Sequence, residues 1–145
     1  FNEANRDRVM PYFGHETHVA SQAKGSLAEE EYKTLTALKQ RLARDEGIDA
    51  TLAEHNLDVI MAPSNGPAWV TDLIGGDRFL GGCSAPAAVA GYPNITVPAG
   101  YVYGMPIGIS FFAGAWQDAT VLRAAYAFEQ ATQVRVPPQF RAVAV

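Results

Sequence analysis

The chain has 145 residues, 48% of them hydrophobic, and its 11 basic residues stand against 15 acidic ones for a net charge of −4. A fold of this size buries roughly 68–70% of its unfolded surface, so this apolar content supports one core in a single domain over 1–145. No block of Lys and Arg is clustered enough to displace counterions, which excludes a nucleic-acid surface, and no apolar run approaches the roughly 18–20 residues that cross a bilayer.

Residues 1–25 form a polar lead-in. Asn2, Asn5, Arg6, Asp7 and Arg8 precede an aromatic turn at Met10-Pro11-Tyr12-Phe13-Gly14, and a short helix is expected from His15 to Ala23. Helices follow over 26–55. Ser26 and Glu29 have capping-box spacing, Tyr32, Leu35, Leu38 and Leu42 recur on one helical face, and the stretch from Ile48 to His55 continues or restarts that helix after Gly47, a natural place for a C-cap or break.

From 57 to 133 the pattern changes to short apolar runs bounded by Pro and Gly, the signature of buried strands. It predicts strands at about 58–62, 94–97 and 106–112, a helix at about 84–90, and a final helix from Asp118, its expected N-cap, to about Gln133, with Val121, Ala125, Phe128 and Thr132 on one face. The first two strands, separated by a helix, are expected to run parallel through a right-handed crossover, and the last two to pair antiparallel or sit as neighbours. The fold class is therefore α/β, a mixed β-sheet with flanking helices. An irregular tail over 134–145, with Val136-Pro137-Pro138-Gln139-Phe140, stops the last helix. Phe1 in place of Met reads as the start of a fragment or processing product.

Candidates for chemistry are few. His15 and His18 stand one residue short of the i, i+4 zinc spacing and lack a nearby third ligand, so a solvated polar face is the better reading and no metal is expected. Cys83, the single cysteine, excludes a disulfide framework and fits a reducing cytoplasm. Paired with His15, His18 or His55 it would make a thiol hydrolase, but a lone cysteine more often packs as a small hydrophobe. Lys24 and Ser26 are two apart, yet a Ser–Lys dyad needs a desolvated amine and this Lys lies in a polar stretch. Tyr92, Tyr101, Tyr103, Phe111, Phe112, Trp116, Tyr126 and Phe128 suit core and loop anchoring, since no basic groove accompanies them.

Several segments, taken in order, carry a resemblance. Tyr12-Phe13-Gly14-His15-Glu16, Asp58-Val59-Ile60-Met61-Ala62-Pro63, Gly91-Tyr92-Pro93, Val97-Pro98-Ala99-Gly100 and Gly104-Met105-Pro106-Ile107-Gly108 together resemble the C-terminal third of the amidase signature family, serine hydrolases of carboxylic amides. The resemblance implies the C-terminal part of that fold. It also implies that the Gly/Ser-rich catalytic loop and its Lys have no counterpart here, so no catalytic residue is assigned and the chain is expected to be inactive alone. Gly81-Gly82-Cys83-Ser84 is not that loop, because Ala85-Pro86-Ala87 follows as a helix start. Its place before Gly91-Tyr92-Pro93 makes Gly81 and Ser84 candidate substrate-binding residues beside the acyl pocket. The expected substrate is a small-molecule amide, with no cofactor. Relatives that serve in tRNA-dependent amidotransferases carry an Asn-Asp pair where Leu80 and Gly81 stand, a departure that favours a neutral or apolar amide. A non-catalytic, self-associating domain is the reading from another class, and a homo-oligomer, most simply a two-fold dimer, is expected because these strands lack covering layers.

Overall fold

The computed structural model describes residues 1–139; the end of the expected tail, from Phe140 on, lies outside them. After a 3-10 turn at Glu3–Asn5, helix α1 spans Arg6–Val9 and α2 spans Glu16–Gln22. Helix α2 lies inside the expected span, whereas α1 is too short and polar to leave a periodic signal. Half of the capping box forms as expected: Glu29 Oε1 accepts from the Ser26 N–H at 3.1 Å, while Ser26 Oγ accepts from the Ala28 N–H at 3.1 Å and not from that of Glu29. They close a turn ahead of α3, Glu30–Gln40, whose N-cap is Glu29, so the capping motif sits one turn early.

Helix α3 continues without a break through a wide π-helical segment, Arg41–Ile48, into α4, Asp49–Glu54. Gly47 is thus no terminator. A Cβ there would lie 2.6 Å from the carbonyl oxygen of Leu42, five residues earlier, which is the spacing that closes a π turn. Glycine permits the wide turn that breaks the ordinary helical register. Of the two expectations past Gly47, continuation and restart, the structure shows continuation.

The sheet has three strands in the order β1-β3-β2, with β1 at Ile60–Pro63, β2 at Asn94–Val102 and β3 at Met105–Phe112. Both pairings are antiparallel. The strands flanking the crossover do run in the same direction, but β3 lies between them and takes the hydrogen bonds of both, so no parallel pair forms among the described residues. Tyr103 (φ 50°) and Gly104 (φ 76°) make the two-residue turn from β2 to β3, both left-handed as a type I′ hairpin requires. Strand β2 outruns its expected end at Val97 because the ladder tolerates Pro98 and Gly100. Proline suits an edge strand, where its missing N–H can face outward, and Gly100 (φ 152°) absorbs the bulge that leaves Ala99 without a partner.

Helix α5, Ser84–Ala90, ends in Gly91 at φ 71°, and the Tyr92 N–H returns to the Ala87 carbonyl at 3.0 Å, which closes a Schellman cap. Helix α6, Asp118–Thr132, takes Gln117 as N-cap, with Asp118 its first helical residue. Adjacent residues of β3 serve opposite faces of the sheet. Phe112 joins Ile48, Ala87 and Ala90 in the core on the α5 side, with Ile60, Ala62 and Tyr92 packed against them. Phe111 meets Phe128 of α6 at 5.8 Å between ring centroids, and Val121 and Ala125 of α6 are buried. The sheet is therefore sandwiched at its centre only. Ile60, Ile95, Val97, Ile107 and Ile109 are half-buried, and the apolar face of α3 and of the π-helical segment that continues it is open, with Leu35 55% and Leu42 52% exposed.

Candidate functional site

The two residues that sequence reading assigns to substrate, Gly81 and Ser84, lie on the loop that returns beside the end of β1 at Pro63. Beyond β1, Ser64 donates its N–H to the Gly108 carbonyl at 2.9 Å and accepts the Cys83 N–H at 3.1 Å, while Asn65 and Gly82 form an antiparallel bridge. These contacts pin the neck of a long loop whose body returns to the sheet just before α5. With its amide oriented to satisfy both groups, Asn65 donates to the Gly81 carbonyl at 3.2 Å and the Ser64 carbonyl at 2.9 Å. Gly81 adopts φ 104°, and a Cβ on it would meet nothing within 4 Å. Its requirement for glycine is therefore one of backbone conformation, and it faces open space. Ser84 begins α5 and is exposed. The structure brings both candidates to the same rim.

Beneath this rim lies a cluster that local sequence patterns do not reveal. Ser64 Oγ and Ser110 Oγ are 2.7 Å apart, Thr96 Oγ1 and Ser110 Oγ 2.8 Å, and Ser64 Oγ donates to Thr96 Oγ1 at 3.3 Å. One hydroxyl comes from each strand or its extension, and Ser110 is only 2% exposed. The three satisfy one another in a closed triangle, which is how buried hydroxyls avoid a desolvation cost. The available signal was a small polar residue in an otherwise apolar run, Ile109-Ser110-Phe111-Phe112.

The loop body carries its own order. The Trp69 indole donates to Asp77 Oδ1 at 3.1 Å and stands edge-on to Phe79 at 6.3 Å. Asp72 Oδ1 accepts the N–H groups of Ile74 and Gly75 at 2.9 and 2.8 Å, and these bonds, Gly75 first, hold its carboxyl below the usual value. A cleft of 600 Å³ opens beside Trp69, Val70, Leu73 and Ile74.

The other candidates separate. Cys83 is half-buried and its thiol faces the Ala62 carbonyl at 3.9 Å, not a histidine. His15 Nε2 contacts Glu3 Oε1 at 2.9 Å and its ring lies 6.4 Å from that of His18; among the described residues no group of three or more His, Cys, Asp or Glu could hold a metal ion. Ser26 is engaged in the turn ahead of α3. No helix among the described residues is long and apolar enough to cross a membrane.

The described residues form a three-stranded sheet with α5 against one face and α6 against the other, a body of mixed helix and strand. The Amidase family model matches residues 2–122, and the chain belongs to that family. It is 42% identical to the protein in the crystal structure of PAM12A, with a TM-score of 0.91 over 98% of this chain and 29% of that one. The native peptide amidase from Stenotrophomonas maltophilia is 41% identical over 97% of this chain and 28% of its own, with a TM-score of 0.86. A probable amidase of Arabidopsis thaliana is 34% identical over 143 residues, 97% of this chain and 24% of the relative. A glutamyl-tRNA(Gln) amidotransferase component from Methanosarcina barkeri is 34% identical over 114 residues, 72% of this chain and 23% of the relative. The chain thus spans less than a third of the length of these relatives.

Proposed function

We propose that this chain forms the C-terminal part of an amidase that hydrolyses a carboxylic amide to an acid and an amine or ammonia, and that it lacks activity by itself. The observation that carries this reading is the likeness to PAM12A and to the native peptide amidase of Stenotrophomonas maltophilia, at 41–42% identity and TM-scores of 0.86–0.91 along 97–98% of this chain. In this reading the nucleophile, its base and the oxyanion donors are supplied by the rest of the fold. This chain contributes strands and one wall of the acyl pocket, with the positive-φ backbone of Gly81 allowing close approach and the Ser84 hydroxyl at the mouth. The hydroxyl triangle holds Ser64, and through the Ser64 carbonyl it steadies Cys83 and the rim. A neutral amide is favoured over a glutamine-like one, because Leu80 and Gly81 offer no charge to an amino group.

Two experiments test this. The pure chain should not turn over a simple amide; turnover that disappears in Cys83→Ala would revive a thiol mechanism in place of this one. Residues 2–133, exchanged for the matching part of the Stenotrophomonas maltophilia peptide amidase, should yield an active chimera. In that chimera Ser84→Leu, at the exposed first position of α5, should raise KM or abolish turnover while the fold is kept, and a soluble chimera indifferent to the change would remove Ser84 from the pocket wall.

A further inference from the structure

At the opposite end of the sheet, where Asn94 and Ile60 flank Phe112, a cleft of 370 Å³ opens between the π-helical segment, the turn after α5 and the start of α6, lined by Arg44, Tyr92, Pro93, Trp116 and Asp118 among others. Its volume lies within the range of about 300–1,000 Å³ usual for small-molecule sites.

The chemistry of its walls is specific. Arg44 is held in place from two sides: its Nε donates to the Ala90 carbonyl at 2.7 Å, and its guanidinium lies 5.4 Å from the centroid of the Tyr92 ring. Tyr92 is fixed in turn by its 2.7 Å bond to Asp49. The terminal nitrogens of Arg44 make no hydrogen bond or ion pair among the described residues, so a planar, permanently charged fork is held ready and unused. Asp118 is exposed, also has no such partner, and is not paired with Arg44. Trp116 lines the same cleft, 93% exposed at φ 62°, a backbone region that bulky side chains rarely enter. Its indole stands free of the core and offers a flat apolar surface to a bound molecule.

A simple anion would be repelled by Asp118 and Asp49, and a simple cation by Arg44. We propose that the cleft binds a zwitterionic small molecule with a flat apolar body, the chemistry of an aromatic α-amino acid: carboxylate on the Arg44 fork, ammonium on Asp118, ring against Trp116. The site is remote from Gly81 and Ser84 and stands independently of amide hydrolysis.

The chain contains two tryptophans, so Trp69→Phe leaves Trp116 as the reporter. Titration with L-phenylalanine should change Trp116 emission saturably. Phenylalaninamide, which lacks the carboxylate, and N-acetylphenylalanine, which lacks the ammonium, should each bind about tenfold more weakly, as expected for loss of one charged hydrogen bond. Arg44→Gln and Asp118→Asn should weaken L-phenylalanine by a similar factor; Asp118 is exposed, so its variant keeps the test valid where Arg44→Gln disturbs folding. A linear, non-saturating response, or saturable binding to a folded Asp118→Asn variant that matches the parent and does not distinguish N-acetylphenylalanine, overturns the assignment.

Discussion

The Tyr92 hydroxyl donates to Asp49 Oδ2 at 2.7 Å and ties the turn after α5 to the first residue of α4. Desolvation first, then the Asp49 bond and charge, push the Tyr92 phenol from 10.0 up to about 12. The folded protein therefore holds this proton more tightly than the unfolded chain does. The stabilisation is complete below pH 10 and is lost as pH rises from 10 toward about 12. Thermal melts over this window should fall more steeply for the parent than for Tyr92→Phe, and Tyr92 should be the last of the six tyrosines to ionise in an ultraviolet titration. Parallel curves for the two proteins would show that the phenol is not coupled to folding. Well below pH 10 the variant should lose about 1–2 kcal/mol, the value of a hydrogen bond to a charged group discounted for partial exposure.

Gly108 is fixed by space. A Cβ there would lie 2.7 Å from Thr96 Cγ2 and 2.9 Å from Ser64 Oγ, inside the hydroxyl triangle. Gly108→Ala should destabilise by about 1–3 kcal/mol, as overpacking does. It should also loosen the rim, because Ser64 must move and its carbonyl receives the Cys83 N–H. Denaturant unfolding gives the first effect and amide exchange at Cys83 the second; a neutral substitution with unchanged exchange would contradict the close contact.

Gly47 reverses an ordinary rule. In a regular helix Gly→Ala stabilises by about 1 kcal/mol. Here the added methyl would meet the Leu42 carbonyl oxygen at 2.6 Å, a backbone atom that cannot rotate away, so Gly47→Ala should lower the melting temperature. A rise would mean that the wide turn relaxes to ordinary helix in solution.

Much of this fold is legible in the sequence because local chemistry and tertiary packing agree. The spans of α5 and α6 follow from the Gly91 cap and from the spacing of Val121, Ala125 and Phe128. The failures occur where they disagree. Gly47 leaves continuation or restart of the helix open, and the strand expected at 94–97 stops short of Pro98 and Gly100, yet all three sit inside an element, at a π turn, on an edge strand and at a bulge. Strand order is invisible locally: the hairpin partner β3 enters between β1 and β2, and only long-range pairing decides that. Gly81 and Ser84 are singled out by their place ahead of Gly91-Tyr92-Pro93, and they lie where the long loop returns to start α5. The Ser64, Thr96 and Ser110 triangle is not singled out, since its members lie 14 to 46 residues apart.

The last prediction concerns assembly. Residues that periodicity assigns to a buried face remain open: Tyr32 is 47% and Leu35 55% exposed along α3, Leu42 at the start of the π-helical segment 52%, and Met61 on the α6 side of the sheet 56%. Strand β1 pairs on one side only, and sheets of this kind are usually covered on both faces. Apolar surface on this scale is rare on soluble monomers, and a two-fold partner presenting the same patch is the commonest way to cover it. Strand β2, also an edge, is the poorer template because Pro98 and the bulge at Gly100 interrupt it. The isolated chain should therefore sediment as a dimer at micromolar concentration, and Leu35→Glu with Leu42→Glu should shift it toward monomer, since two buried carboxylates per copy are costly. A parent chain that runs as a monomer and binds no dye for exposed apolar surface would show that it closes its own core, and the incomplete sheet would then be a finished one.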